Sequence, residues 1–100
     1  MSSTTIDAQV LTLDPGLFTD VTPAIHADNA LVSNLVATAT VNVYPDKTDT
    51  TKVITVAGKS ERNIAAPFNH MDQRARFEKG VVAFSLKPAS GTGPVTVVFT

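Results

Sequence analysis

The sequence predicts an all-β domain: a single small β-sandwich, or partly open barrel, of six to seven mostly antiparallel strands. Three observations carry this. Thirteen valines, four isoleucines and fourteen threonines give 31 of 100 residues whose stiff χ1 suits a pleated sheet. Only two glutamates, two glutamines and five lysines are available to fill exposed helical faces. Six prolines and five glycines are spread along the chain and cut it into pieces of strand length. A chain of 100 residues makes one domain, here with residues 1–5 as a small, polar N-terminal arm.

The elements follow in order. Ile6 to Leu13 reads as a first strand, with Ile6, Ala8 and Val10 on one face and Leu11 and Leu13 on the other. Asp14-Pro15-Gly16 is a turn, since proline presets φ and glycine accepts positive φ. Residues 17–22 form a short strand ended by Pro23, and 23–30 a loop. Ala30, Leu31, Leu35 and Val36 stand at helical spacing behind Asp28 as an N-cap, so a one-turn helix near 29–35 is the alternative there. Residues 36–44 alternate with period two and read as a strand. A polar hairpin loop over 45–51 leads to its partner at 52–57. Gly58-Lys59 turns the chain into a strand over 60–66, closed by Pro67. Phe68 to Ala75 is a polar loop. A strand then runs from Phe77 to Lys87, bulged at Lys79-Gly80. Residues 88–94 form a hairpin loop before the last strand, Val95 to Thr100. The expected core is Val10, Phe18, Val41, Val43, Ile54, Val56, Ile64, Phe77, Val82, Phe84, Leu86, Val97 and Phe99.

Composition narrows the function classes. A net charge of −1 lacks the basic excess of a nucleic-acid binder. Cysteine is absent, which removes disulfides, thiolate metal sites and a cysteine nucleophile. Unbroken apolar runs stay short, as in Val81-Val82-Ala83-Phe84, far below the roughly 20 residues that span a bilayer. The opening Met1-Ser2-Ser3-Thr4-Thr5 has no basic n-region of a signal peptide. The expectation is a protein made in solution, without nucleic-acid or membrane partners.

Catalytic and metal constellations are sparse. His70-Met71-Asp72 places a carboxylate two residues from an imidazole, but a transition-metal site needs three or four ligands. Glu61 and Glu78 each sit beside a cation, Arg62 and Lys79, as exposed strand residues do. No Gly-x-Ser-x-Gly elbow, phosphate-binding glycine loop or HExxH is present. The expectation is no enzyme activity, no cofactor and no metal. Arg74, Arg76 and Lys79 cluster, yet Asp72 and Glu78 dilute them and Phe77 is the one aromatic available for base stacking. A protein contact suits these residues better. Phe68, His70, Met71, Arg74 and Arg76 crowd one turn-bounded segment, and Met and Arg are enriched at interfaces. They are the candidate protein-contact residues, with Arg74 and Arg76 as anchors.

The second half has a recognisable pattern. Ile54-Thr55-Val56-Ala57-Gly58-Lys59-Ser60-Glu61-Arg62-Asn63-Ile64-Ala65-Ala66-Pro67-Phe68 is followed by an Asn-containing loop, then Gly80-Val81-Val82-Ala83-Phe84-Ser85 and a closing Val-Thr-Val-Val-Phe. Over residues 37–100 this resembles the small β-sandwich structural proteins of tailed bacteriophages and prophages, several of which are head-decoration (cement) proteins. The resemblance implies a non-enzymatic virion protein, made in the bacterial host cytoplasm, that binds the capsid surface in many copies. Its partner is then the major capsid protein or another virion protein, and the protein itself a homo-oligomer or lattice array. A tail- or fibre-associated module that binds a receptor protein or carbohydrate is the alternative. For assembly, the arm and first strand are expected to pair with an open sheet edge of a neighbour, which the C-terminal strand is expected to leave available.

Overall fold

The computed structural model describes residues 6–36, 39–65, 80–90 and 94–100. These hold eight strands: β1 (Asp7–Thr12), β2 (Thr19–Val21), β3 (Ala30–Asn34), β4 (Val41–Tyr44), β5 (Ile54–Val56), β6 (Ser60–Asn63), β7 (Phe84–Pro88) and β8 (Pro94–Phe99). They form two four-stranded sheets, one in the order β1-β8-β3-β6 and the other β2-β7-β4-β5. Every strand pair is antiparallel. The all-β sandwich expected from composition is therefore present, with one strand more than the upper count expected.

The pairing is nested. β1 pairs with β8, β2 with β7, β3 with β6 and β4 with β5, as if one long hairpin had been folded about the β4–β5 loop. The contacts β3–β8 and β4–β7 then join these pairs into sheets. This is the strand order of an eight-stranded jelly roll. The two inner faces meet in one core. Val95, Val97 and Phe99 come from β8, Val41 and Val43 from β4, Ile54 and Val56 from β5, and Phe84 and Leu86 from β7. Phe84 and Phe99 join the sheets, with ring centroids 6.0 Å apart and planes tilted by 56°. Each such buried side chain contributes about 1.5–3 kcal/mol relative to exposure.

The structure corrects several local expectations. The stretch read as loop or one-turn helix contains β3. Its inward side chains, Ala30, Val32 and Asn34, alternate with half-buried Leu31 and Ser33. Leu31 on the outer face broke the alternation and produced the helical spacing. Val10 is not core but 70% exposed, because β1 turns Asp7, Gln9 and Leu11 inward and Ala8, Val10 and Thr12 outward. Among the described residues, the strand expected over 36–44 is found at Val41–Tyr44, and of the one expected over 77–87 residues 80–83 are not strand and β7 begins at Phe84. The C-terminal strand offers no open edge. β8 lies between β1 and β3, and the carbonyl of Thr100 accepts the backbone N–H groups of Asp28 (2.9 Å) and Asn29 (3.1 Å). Phe77 and the arm 1–5 lie outside the described residues.

Two turns show how local chemistry places these strands. At Asp14-Pro15-Gly16, Leu17 N–H donates to the Asp14 carbonyl (3.0 Å) and Gly16 N–H to the Asp14 carboxylate (2.9 Å). Gly16 keeps a negative φ, so the aspartate closes this turn rather than glycine's left-handed freedom. Gly80, by contrast, has φ +124°, and a Cβ there would stand 2.8 Å from His26 Cε1 and 3.0 Å from the Ala27 carbonyl oxygen. The next residue, Val81, donates its N–H to that carbonyl at 2.7 Å.

Candidate functional site

The contact residues expected from the sequence, Phe68, His70, Met71, Arg74 and Arg76, lie outside the described residues. The other histidine, His26, is exposed and stands 3.8 Å from the Asp28 carboxylate. Glu61 is exposed on β6 and accepts the Ser33 hydroxyl at 2.6 Å, while Arg62 donates to the Thr55 carbonyl at 3.2 Å. Both residues thus serve cross-strand contacts. Among the described residues no group of three or more His, Asp or Glu side chains is placed to hold a metal ion.

A cleft of about 280 Å³ lies between β2, β7 and the β4–β5 loop. Its polar centre is Asp20 on the outer face of β2. The register that pairs Asp20 with Ser85 brings the Ser85 hydroxyl to the Asp20 carboxylate at 2.7 Å. Lys47, from the β4–β5 loop, reaches the same carboxylate at 3.0 Å. That loop is shaped by two successive Asp-x-Thr turns. Asp46 accepts the N–H and hydroxyl of Thr48, and Asp49 those of Thr51. The Ser85 hydroxyl first, and the Lys47 ammonium next, hold the Asp20 carboxyl below the usual carboxylate range. A carboxylate so stabilised is a weak general base, and Ser85 spends its proton on it. The arrangement ties an edge strand to its sheet and to a loop.

Beside this cleft, Phe18 and Tyr44 meet edge to face at 5.3 Å on the outer side of the same sheet, and the Lys87 ammonium stands 5.0 Å from the Phe18 ring centroid. The outer side of the other sheet differs in character. Its β1 strip carries Ala8 and Val10, with Ile6 (58% exposed) just before the strand. Across the strands, Ala8 stands opposite Val98, and Val98 opposite Leu31, giving one apolar row.

Sequence reasoning missed both surfaces. The tandem Asp-x-Thr and the lone charge of Asp20 within the strand expected over 17–22 were readable signals for the first. The strip was hidden because Val10 is expected in the core from the sequence. In comparisons with known proteins, no family model, no curated protein and no solved structure matches this chain.

Proposed function

We propose that this chain is a non-enzymatic structural protein of a virion, specifically a head-decoration protein of a tailed bacteriophage that binds the capsid surface in many copies. The observation that carries the reading is the nested strand order, since the double-sheet jelly roll is an architecture of viral capsid proteins, as it is of lectins and cupins. Function is not fixed by fold. The resemblance of residues 37–100 to small phage structural proteins selects the virion among these uses. The exposed apolar strip of Ile6 and Val10 adds a surface suited to assembly. In this reading the major capsid protein, or another virion protein, is the partner.

A second reading, a tail- or fibre-associated recognition module, draws on one observation: Phe18, Tyr44 and Lys87 present a ring-and-cation surface beside the Asp20 cleft. Neighbouring genes separate the two, a major capsid gene favouring the first and a fibre gene the second. The direct experiment is co-sedimentation of the purified chain with capsids built from the neighbouring capsid gene. Saturable binding in many copies is expected. Arg74→Ala with Arg76→Ala is expected to weaken it about 30-fold or more, the equivalent of one interface hot spot of about 2 kcal/mol. Failure of the wild-type chain to sediment with capsids refutes the decoration role. Unchanged binding by the double variant removes the two arginines from the contact.

A further inference from the structure

We propose that β1 is a self-association edge, pairing antiparallel with β1 of a second copy across a twofold axis through Ala8 and merging two four-stranded sheets into one of eight strands. The inference holds whether or not a capsid is the protein's target.

Among the described residues the two sheets have four edge strands, β1 and β6 in one sheet and β2 and β5 in the other. Natural proteins blunt such edges by making them short or by placing charges and prolines on them. β2 and β5 are three residues long, and β2 carries the Asp20–Lys47 ion pair. β6 has four residues and presents Glu61 and Arg62. β1 is six residues long and contains no lysine, arginine or proline. Among the described residues it is the edge without these devices.

Its polarity is also inverted. The inward side chains Asp7 and Gln9 are polar and half-buried. Asp7 accepts Gln9 Nε2 and Ala24 N–H, both at 2.8 Å, and Gln9 Nε2 also donates to the Thr22 carbonyl at 2.8 Å. An inward charge can itself guard an edge, but these bonds already hold Asp7 within its own chain. The outward side chains next to the edge are instead apolar, with Ile6 58% and Val10 70% exposed. From Ile6 to Val10 this edge exposes apolar side chains and turns polar ones inward, so this part of it gains by being covered.

The self-complementary pattern of this edge points to a second copy, and residue pairing selects its register. Directly opposed residues in an antiparallel pair point to the same face, so a twofold between two β1 strands must pass through a residue. Through Asp7 it would set two carboxylates against each other, through Gln9 it would set Asp7 against Leu11, and through Val10 it would set Gln9 against Leu11 and Ile6 against Asp14. Through Ala8 it sets Asp7 against Gln9 and Ile6 against Val10, joining the two most exposed apolar residues near this edge. The row Leu31–Val98–Ala8 then continues into its own image, giving an isologous interface with one apolar stripe over six strands.

The chain has no cysteine, so single cysteines report the register directly. At the axis, two residues at position 8 have Cα atoms about 4.5–5.5 Å apart, inside the disulfide range. At position 12, also outward on β1, they stand about 27 Å apart at the antiparallel rise. Under mild oxidation, Ala8→Cys is expected to form a covalent dimer within minutes and Thr12→Cys none. Sedimentation of the wild-type chain is expected to show a concentration-dependent dimer, lost in Val10→Lys with the circular dichroism of the fold retained. A wild-type chain that stays monomeric to about 1 mM overturns the proposal. So does cross-linking of both cysteine variants, or of neither. Oligomers in which Ala8→Cys does not cross-link indicate that another segment, such as a neighbour's N-terminal arm, occupies the edge, and also overturn it. Should Val10→Lys fail to fold, the cysteine pair still decides.

Discussion

Replacing Asn34 tests how the two sheets are held together at one end. Asn34 is fully buried on β3, in the first sheet. Its Nδ2 donates to the Ala39 carbonyl at 2.8 Å, and to the carbonyls of Val56 (3.3 Å) and Ala57 (3.2 Å) at the end of β5, in the second sheet. Its Oδ1 is buried without a hydrogen-bond partner among the described residues. Asn34→Ala removes two N–H donors worth about 1 kcal/mol each, and leaves carbonyls and a small void at a further cost of about 1–3 kcal/mol. Removing the orphaned Oδ1 returns part of that. The net expectation is a loss of about 2 kcal/mol, which lowers the Tm of a domain this size by about 8–16 °C.

Asn34→Asp sharpens the test, because it points a second oxygen at the same three carbonyls. Burial against acceptors raises the folded-state pKa of the introduced carboxyl above its unfolded value. Its protonated form is therefore favoured by folding, and the variant is most stable below the unfolded carboxyl range. That stability is lost as pH rises through the raised folded value. At neutral pH this variant should be less stable than Asn34→Ala, with the gap closing near pH 4. Thermal unfolding followed by circular dichroism between about pH 4 and 8 is the assay. A Tm for Asn34→Ala within about 2 °C of wild type refutes the inter-sheet staple. A pH-independent Asn34→Asp refutes the burial of this side chain among acceptors.

Two further expectations concern the fold's local devices. Gly80→Ala should cost about 1–3 kcal/mol in urea unfolding, from its φ of +124° and the Ala27 carbonyl 3.0 Å from the new Cβ. Adding His26→Ala should recover little, since the backbone constraint remains, and full recovery would refute that account. The Asp20 carboxyl should titrate below the usual range by NMR, with Ser85→Ala or Lys47→Met each moving it upward. A lowered folded pKa means that its contribution to stability is present above the unfolded value and lost as pH falls through the folded one. Because Asp20 is solvent-exposed, salt should shrink the effect. A titration unchanged in both variants contradicts the network.

Much of the sandwich was legible one residue at a time. Val41 and Val43, Ile54 and Val56, and Val97 and Phe99 alternate in the sequence as they do in the core, because a half-buried strand exposes every second side chain. Asp14-Pro15-Gly16 marked a turn because aspartate and proline bias the local backbone wherever they stand. Strand identity failed where burial is not one-sided. β3 lies between β8 and β6, so Leu31 on its outer face is half-covered and its sequence loses the two-residue period. For β1 the period was right and the face wrong. Nothing within Ile6 to Leu13 states that Asp7 and Gln9 will bond Ala24 and Thr22, contacts that turn Val10 to the outside. Local pattern thus determined that the chain makes strands and where many of them lie. The nested order, the join of Asp20 to Ser85 across 65 residues, and the choice of exposed face arise from long-range pairing. Only tertiary structure decides these, because each depends on which distant segment satisfies a backbone or side-chain hydrogen bond.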